Sequence, residues 1–340
     1  MRLRLNIRTV KAVTGLLAVF VLLLAGALLQ RRWEEAYLGS QAPAENEPEE
    51  DGRELVYYGG DWYAARDDLE TVLFLGLDKA ALDASLPVSG DYAQADFVLL
   101  MVLDPRTKSG KLLHINRDTM TDIPDFDASG RPLGTYTGQL ALAYAHAQAY
   151  TGSGQTACES TKQAVSELLY GAEIRHYVTL TLDGVARLND LAGGVEVEIQ
   201  DDFSAVDGTL TQGERVTLLG EHALNYVRAR WWVGGGTNLE RMERQRQYLD
   251  ALWKKLDGLM AAEGDFLLSA LLEVSDYMNS DCTAEQLAAL AEKARSYGIG
   301  EQISLEGTAV MGEQFMEFYV DEDALQTWVI QTFFELAEQR

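Results

Sequence analysis

Histidine, cysteine and proline are scarce in this sequence: four, two and six residues in a chain of 340. So few cysteines, with scattered histidines, leave no four-ligand set for a structural zinc site. Basic residues are also short, 28 against 53 acidic ones, for a net charge of −25. The first thirty residues hold Arg2, Arg4, Arg8 and Lys11 and no acid, so the rest carries 24 basic against 53 acidic residues. A body this acidic lacks the basic footprint that nucleic acid requires, and no nucleic-acid partner is expected. An anionic ligand would need a local arginine cluster working against the overall field.

Charge is missing altogether from residues 12–30, AVTGLLAVFVLLLAGALLQ. That run is about the length of a bilayer-crossing helix. The basic residues before it put the N-terminus in the cytoplasm by the positive-inside rule. A cleaved signal peptide is the rival reading, but its apolar core would be shorter, and Leu28, Leu29 and Gln30 after Ala27 make a poor cleavage site. The expected organisation is a cytoplasmic tail (1–11), a transmembrane anchor (12–30), an acidic stalk (31–66), a main domain (67–260) and an accessory α/β extension (261–340). The protein is then a single-pass type II membrane protein with its body outside the cell membrane. Pro43, Pro48, Glu45, Glu47, Glu49, Glu50, Asp51 and Glu54 make the stalk too polar to build a core, so most of it is expected to be disordered. A transcriptional regulator is disfavoured, since only about eleven residues would face the cytoplasm.

What is plentiful is apolar residues, 47% of the chain, enough for a real core. TVLFLGL (71–77) and FVLLMVL (97–103) are near-continuous apolar runs, the mark of strands covered on both faces. Asp104-Pro105 opens a turn to a returning strand at 111–116, predicting a hairpin. Further strands are predicted at 177–182 and 195–199. Helices are predicted at 156–170, from Asp183 to Gly193-Gly194, and at 220–226 and 239–260. The extension holds helical patterns at 283–297 and 321–338 around a strand-like stretch, 303–320. The expected fold class is α/β, a three-layer α/β/α sandwich with a mixed central sheet.

Arg117 ends the third strand, where ligand sites of α/β folds lie. Arg228 and Arg230 are two apart and share a face if the chain is extended there. Arg241, Arg244 and Gln245 share a face of a helix. Guanidinium groups suit phosphate because their planar fork binds oxygens in pairs and keeps its charge when partly buried. The bland alternative is that these arginines pair with surplus surface acids. Asp78, Asp96 and Asp118 stand at strand ends beside them, poised to hold Mg²⁺ or to take a proton from an attacking hydroxyl. Carboxylates at such places also cap turns. Gly234-Gly235-Gly236-Thr237 lacks the Walker lysine and reads as a flexible loop. Gly152-Ser153-Gly154 does not fit a nucleophile elbow. Cys158 and Cys282 each precede or enter a predicted helix. Outside the membrane they can pair, and a disulfide is the expectation, with two free thiols as the alternative.

Three blocks stand in an order that resembles the LytR–CpsA–Psr domain: TVLFLGLD (71–78), ADFVLLMVLDPRTK through INRDTMTDIP (95–124), and GEHALNYVRAR (220–230) through NLERMERQRQ (238–247). Residues 174–199 resemble the family's middle segment. The resemblance implies a type II protein of Gram-positive-type envelopes. It implies a phosphotransferase that moves a glycopolymer from an undecaprenyl-pyrophosphate carrier to a peptidoglycan hydroxyl, with the polyprenyl tail in an apolar tunnel. It assigns Asp78 and Asp96 to Mg²⁺, and Arg117, Arg228, Arg230, Arg241 and Gln245 to the pyrophosphate. Asp96, Arg117, Arg228 and Arg230 take the catalytic positions, and Asp118 orients Arg117. Phosphoryl transfer needs positioning and charge neutralisation, which such a set supplies.

The chain departs from the family at four places. Gln94 stands for an arginine, Gln139 for a lysine, Asn238 for an aspartate, and Glu240 for a glycine whose loss is expected to constrict the site. Each missing charge removes on the order of 1–3 kcal/mol of charge-assisted binding. A protein that binds polyprenyl phosphates or scaffolds wall synthesis without transfer is the second reading.

Overall fold

The structure is a computed structural model that describes residues 53–79, 82 and 92–337. The tail, the anchor and most of the stalk expected from the sequence lie outside those residues. No helix among the described residues is long and apolar enough to cross a membrane.

The described chain forms two compact units. The smaller takes residues up to Asp67 together with Ile330 onward. Its strands β1 (Leu55–Tyr58) and β2 (Asp61–Ala65) form an antiparallel hairpin, and β15 (Phe334–Leu336) pairs antiparallel with β2. Gly59 and Gly60 have φ of 61° and 102°, the backbone that a two-residue hairpin turn demands. The disordered-stalk expectation is thus corrected for residues 55–65. Aromatics there supply the cross-strand contacts that the acids upstream cannot, as where the Tyr57 and Trp62 rings lie 5.4 Å apart.

The larger unit, Asp68–Val329, is α/β. Its mixed six-stranded sheet uses β3 (Glu70–Leu77), β4 (Ala95–Asp104), β5 (Ser109–Ile115), β8 (His176–Leu180), β11 (Met278–Ser280) and β12 (Ile299–Ser304), in the order β11-β8-β3-β4-β5-β12. β3 runs parallel to β8 and β5 to β12; the other pairs are antiparallel. The expected β4–β5 hairpin forms, with Asp104 Oδ1 accepting the backbone N–H of Arg106 at 2.9 Å to fold the turn.

Apolar residues on both faces of each central strand require helices on both sides. Val72, Phe74, Met101, Leu103 and Val178 pack under Trp253, Leu271, Leu287, Leu290 and Ala294. These come from α5 (Asn238–Ala262), α6 (Phe266–Glu273) and α7 (Ala284–Tyr297). The opposite face carries α1 (Leu142–Thr151) and α2 (Gly154–Leu168), which meet β4 and β8. A second core gathers Val195, Val197, Leu218, Ala223, Tyr226, Leu252 and Leu256. It joins α5 to β9 (Val195–Glu198), β10 (Arg215–Leu218) and α4 (Glu221–Arg228).

Several expectations shift. Helix α3 (Leu182–Leu191) is capped not by Asp183 but by Thr181, whose hydroxyl accepts from the Gly184 N–H. The segment after 260 is not an accessory packed on the body: it supplies both edge strands, β11 and β12, of the central sheet. It also forms a hairpin of β13 (Gly307–Met311) and β14 (Met316–Val320). Helix α8 spans Glu322–Phe333, shorter than the expected 321–338. A hairpin of β6 (Met120–Phe126) and β7 (Pro132–Gln139) was not expected at all. Cys158 and Cys282 are both free thiols, which corrects the disulfide. Burial raises both, Cys158 to about 12 and Cys282 to about 11, so they stay protonated.

Candidate active site

The site is assembled at one end of the central sheet by a break in pairing. Between β3 and β4 the register shifts: Gly76 faces Phe97, but Leu77 faces Ala95. Asp96 is the extra residue, and a bulge of this kind re-aims a side chain. Gly76 permits the crowding, since a Cβ there would sit 2.9 Å from Cβ of Phe97. Asp78, just past β3, is tied to the start of β4: its Oδ1 accepts the Gln94 N–H at 2.8 Å.

Both oxygens of Asp96 are held by guanidinium groups. Arg117 Nη1 donates to Oδ1, and Arg241 Nη1 donates to Oδ2 at 2.9 Å. Arg117 comes from the turn after β5 and Arg241 from the first turns of α5. A buried ring of polar groups links these two elements. Arg241 Nη2 donates to Asn238 Oδ1 at 2.6 Å, and Asn238 Nδ2 donates to Asn116 Oδ1 at 2.7 Å. The same Asn116 oxygen accepts the Asp118 N–H at 2.9 Å. Asp118 Oδ1 lies 3.3 Å from Arg117 Nε and also 3.3 Å from Gln139 Nε2, which donates to the Met316 carbonyl at 2.6 Å. The Phe318 N–H donates to the Asp118 carbonyl at 2.8 Å, so the β13–β14 hairpin braces the loop that carries Arg117.

Helix α5 owes its place to one stripe that changes character along its length. Asn238, Arg241, Gln245 and Tyr248 face inward first, then Leu252, Leu256 and Met260. A capping box of Thr237 and Glu240 fixes its start. Glu240, expected to crowd the site, instead folds back and accepts from the N–H groups of Gly235 and Thr237.

The other expected residues divide. Arg230 Nε donates to the Gly236 carbonyl at 3.3 Å, and its guanidinium stacks 4.9 Å above the Trp231 ring. Its charge reaches Arg117. Burial, then the cations Arg241 and Arg230, lower the Arg117 pKa against the pull of Asp118 and Asp78. Burial lowers Arg241 too, opposed by Asp118 and Asp78. Both start so far above neutrality that they remain charged. Arg228 does not join them: it is the exposed last residue of α4, helical where an extended chain was expected. Gln245 is buried with its amide donating to the Val227 carbonyl at 3.1 Å and its Oε1 unpartnered. Arg244 is structural, paired with Asp201 at 2.7 Å, bonded to the Ala229 carbonyl and stacked on Phe203 at 5.6 Å.

Sequence reading missed Asn116, the hinge of the polar ring. Its signal was a polar residue following an apolar strand directly before Arg117. Also missed was His114, buried beside Phe97, where desolvation and then Arg241 push its pKa down to about 3.

The donor set is compatible with Mg²⁺ but is not a cage. Both Asp96 oxygens are engaged by arginines, while among the described residues only one Asp78 oxygen accepts a hydrogen bond. Mg²⁺ commonly uses one or two carboxylates and takes its remaining ligands from water and phosphate. Beyond the site, a cavity of about 590 Å³ lies between the β6–β7 hairpin and α2. Its lining is mixed: Pro124, Phe126, Pro132 and Ile174 stand among polar side chains that include Lys162 and Glu159.

This arrangement can grip a doubly charged anion, orient it and accept a proton beside it. A curated polyisoprenyl-teichoic acid–peptidoglycan teichoic acid transferase, TagU of Enterococcus faecalis, is 28% identical over 256 residues, 75% of this chain and 76% of the relative. Another protein of that name from Halalkalibacterium halodurans is 30% identical over 59% of this chain and 65% of its own length. The crystal structure of Bacillus subtilis TagV matches with a TM-score of 0.58 at 22% identity, over 78% of this chain and 98% of that one, which shows a shared fold. The model of the LytR_cpsA_psr family matches residues 36–332, nearly the whole chain, and the protein belongs to that family.

Proposed function

We propose that this chain is an extracytoplasmic phosphotransferase that moves a glycopolymer from an undecaprenyl-pyrophosphate carrier to a peptidoglycan hydroxyl. The observation that carries the reading is the meeting of Arg117 and Arg241, from distant stretches of chain, on one carboxylate, with Arg230 close by.

Without ligand the site is balanced: Asp96 and Asp118 offset Arg117 and Arg241. A pyrophosphate brings charge that competes with Asp96 for both guanidiniums, and bidentate contacts favour it. The acceptor hydroxyl oxygen then attacks the polymer-side phosphorus. A P–O bond forms to the acceptor, and the P–O bond to the bridging oxygen breaks. Polyprenyl phosphate leaves with that electron pair, its charge held by the arginines. Asp96, released from a guanidinium, is placed to take the hydroxyl proton. Asp78 and Asp96 would hold Mg²⁺, which would neutralise charge on the phosphate oxygens. Asp118 acts by holding Arg117. The carrier's first isoprene units would run toward the cavity beside β6, whose Pro124 and Phe126 follow closely after Arg117 in the chain. The uncharged run 12–30 would anchor the chain, with the body outside.

Three departures from the family are absorbed. Gln94 accepts from Arg117 Nη2 at 2.7 Å, Gln139 donates to Asp118, and Asn238 supplies a neutral acceptor for Arg241. The geometry thus survives with less charge. That loss favours the second reading, a binder of polyprenyl phosphates that does not turn over. The test is release of polyprenyl phosphate from a polyprenyl-pyrophosphoryl glycan by the purified chain with Mg²⁺ and peptidoglycan. Release that is lost in Asp96→Asn supports transfer. Tight binding with no release supports the binder.

A further inference from the structure

The loop between α4 and α5 holds two consecutive tryptophans out in solvent. Trp232 is 82% exposed, the most of any large apolar side chain among the described residues, and Trp231 is 67% exposed. Trp232 has φ of 71°, a left-handed backbone that a bulky side chain adopts at a cost. The surrounding frame imposes it. Val233, the next residue, is wholly buried in the second core. The Gly236 N–H donates to the Val233 carbonyl at 3.1 Å, the Gly236 carbonyl accepts from Arg230, and the Gly235 N–H donates to Glu240 Oε1 at 3.0 Å. Gly234 and Gly236 take φ of 57° and 73°, and a Cβ on Gly235 would come within 2.7 Å of Glu240 Oε1. The loop expected to be flexible is therefore a built turn. A strained residue over-determined by its surroundings is a pointer to function.

What the tryptophans could hold follows from their neighbour. Arg230 covers one face of Trp231, and the loop's Gly235 and Thr237 N–H groups are bound by Glu240, the chain neighbour of the Arg241 that holds Asp96, so the loop adjoins the phosphate site. An open indole face beside a phosphate-binding arginine suits a ring with an apolar face and polar edges that is itself linked to phosphate. A pyranose has that chemistry. A bilayer surface fits less well, because Asp201 and Glu240 flank the loop and anionic headgroups would be repelled.

We propose that Trp231 and Trp232 form a sugar-stacking subsite that takes the pyranose next to the reacting phosphate, on the carrier-linked donor or on the acceptor glycan. The proposal rests on the phosphotransferase reading above and adds to it a determinant of specificity.

The test uses the full chain in detergent with three probes: sugarless polyprenyl pyrophosphate, polyprenyl-pyrophosphoryl-N-acetylglucosamine, and a soluble peptide-free peptidoglycan strand. Trp231→Ala and Trp232→Ala are expected to weaken one sugar-bearing probe by roughly tenfold, the size of a buried aromatic anchor, while the sugarless carrier changes little. The probe affected identifies donor or acceptor. Trp231→Phe should restore most of the affinity. Trp232→Gly should lose it with an unchanged or higher Tm, which separates binding from folding. Equal effects on all probes, or none, with the sugarless carrier still bound, overturn the subsite and leave the phosphate site standing. Failure of the wild-type chain to bind the sugarless carrier overturns both. Quenching of these two tryptophans by brominated lipid in carrier-free liposomes, read as the difference from Trp231→Phe/Trp232→Phe, would show a membrane contact and overturn the sugar assignment.

Discussion

Arg117 and Arg241 hold opposite oxygens of the same carboxylate, Asp96, although 124 positions of sequence separate Arg117 from Arg241. The carboxylate keeps two cations together that would otherwise repel, and so pre-forms an anion site at the cost of occupying it. Asp96→Asn removes that competitor. Metal-free affinity for pyrophosphate should rise several-fold, on the order of 1 kcal/mol, and enhancement by Mg²⁺ should vanish. Calorimetric titration with and without Mg²⁺ reads both effects. Unchanged affinity would show that Asp96 is not the gate.

Arg244 resembles its neighbour Arg241 in sequence and differs in role. It is 2% exposed, paired with Asp201 and stacked on Phe203. Arg244→Ala should cost about 3 kcal/mol or more in stability, because it breaks a buried pair and leaves a cavity. Arg241→Met should lose pyrophosphate binding with a smaller fall in the denaturation midpoint. Equal stability losses in the two variants would erase the distinction.

The core of the sheet was legible because β3 and β4 are apolar on both faces, a pattern few other structures produce. The arginine set was legible in part. Arg117 and Arg241 converge because one follows the end of β5 and the other lies in the first turn of α5, and both reach Asp96. Arg228 failed because α4 runs two residues beyond its predicted end, and helical rather than extended backbone there turns its side chain away. Asn116 was hidden because a buried amide leaves no periodic trace. The β1–β2 hairpin was masked by the acids before it, and the edge strands β11 and β12 by being short and polar.

Gln139 stands where the resemblance to the family implies a lysine, and its amide already spans Asp118 and the Met316 carbonyl. Gln139→Lys returns a charge to a position with a carboxylate partner ready. Affinity for a pyrophosphate donor should rise by up to about tenfold, or roughly 1.4 kcal/mol. Fluorescence titration of the donor checks it. A fall in affinity with intact folding would show that the glutamine is tuned to this chain's own ligand.

His114 gives a pH dependence of stability. Burial, and secondarily Arg241, lower its pKa from 6.5 to about 3, so the folded protein keeps it neutral while the unfolded chain takes up a proton. Its stabilising contribution is complete above pH 6.5 and is lost as pH falls toward 3, at up to about 1.4 kcal/mol per pH unit. His114→Leu should flatten that slope in urea denaturation between pH 4 and 6.5, where the unpartnered Nδ1 makes an apolar replacement tolerable. An unchanged slope would place the dependence elsewhere.

The central claim is that one pyrophosphate is gripped jointly by Arg117 and Arg241. A double-mutant cycle measures it directly, using affinity for a non-hydrolysable polyprenyl methylenediphosphonate in wild type, Arg117→Ala, Arg241→Ala and the double variant. Each single change should cost roughly tenfold or more, and the double change clearly less than their product. Full affinity in both single variants would contradict it.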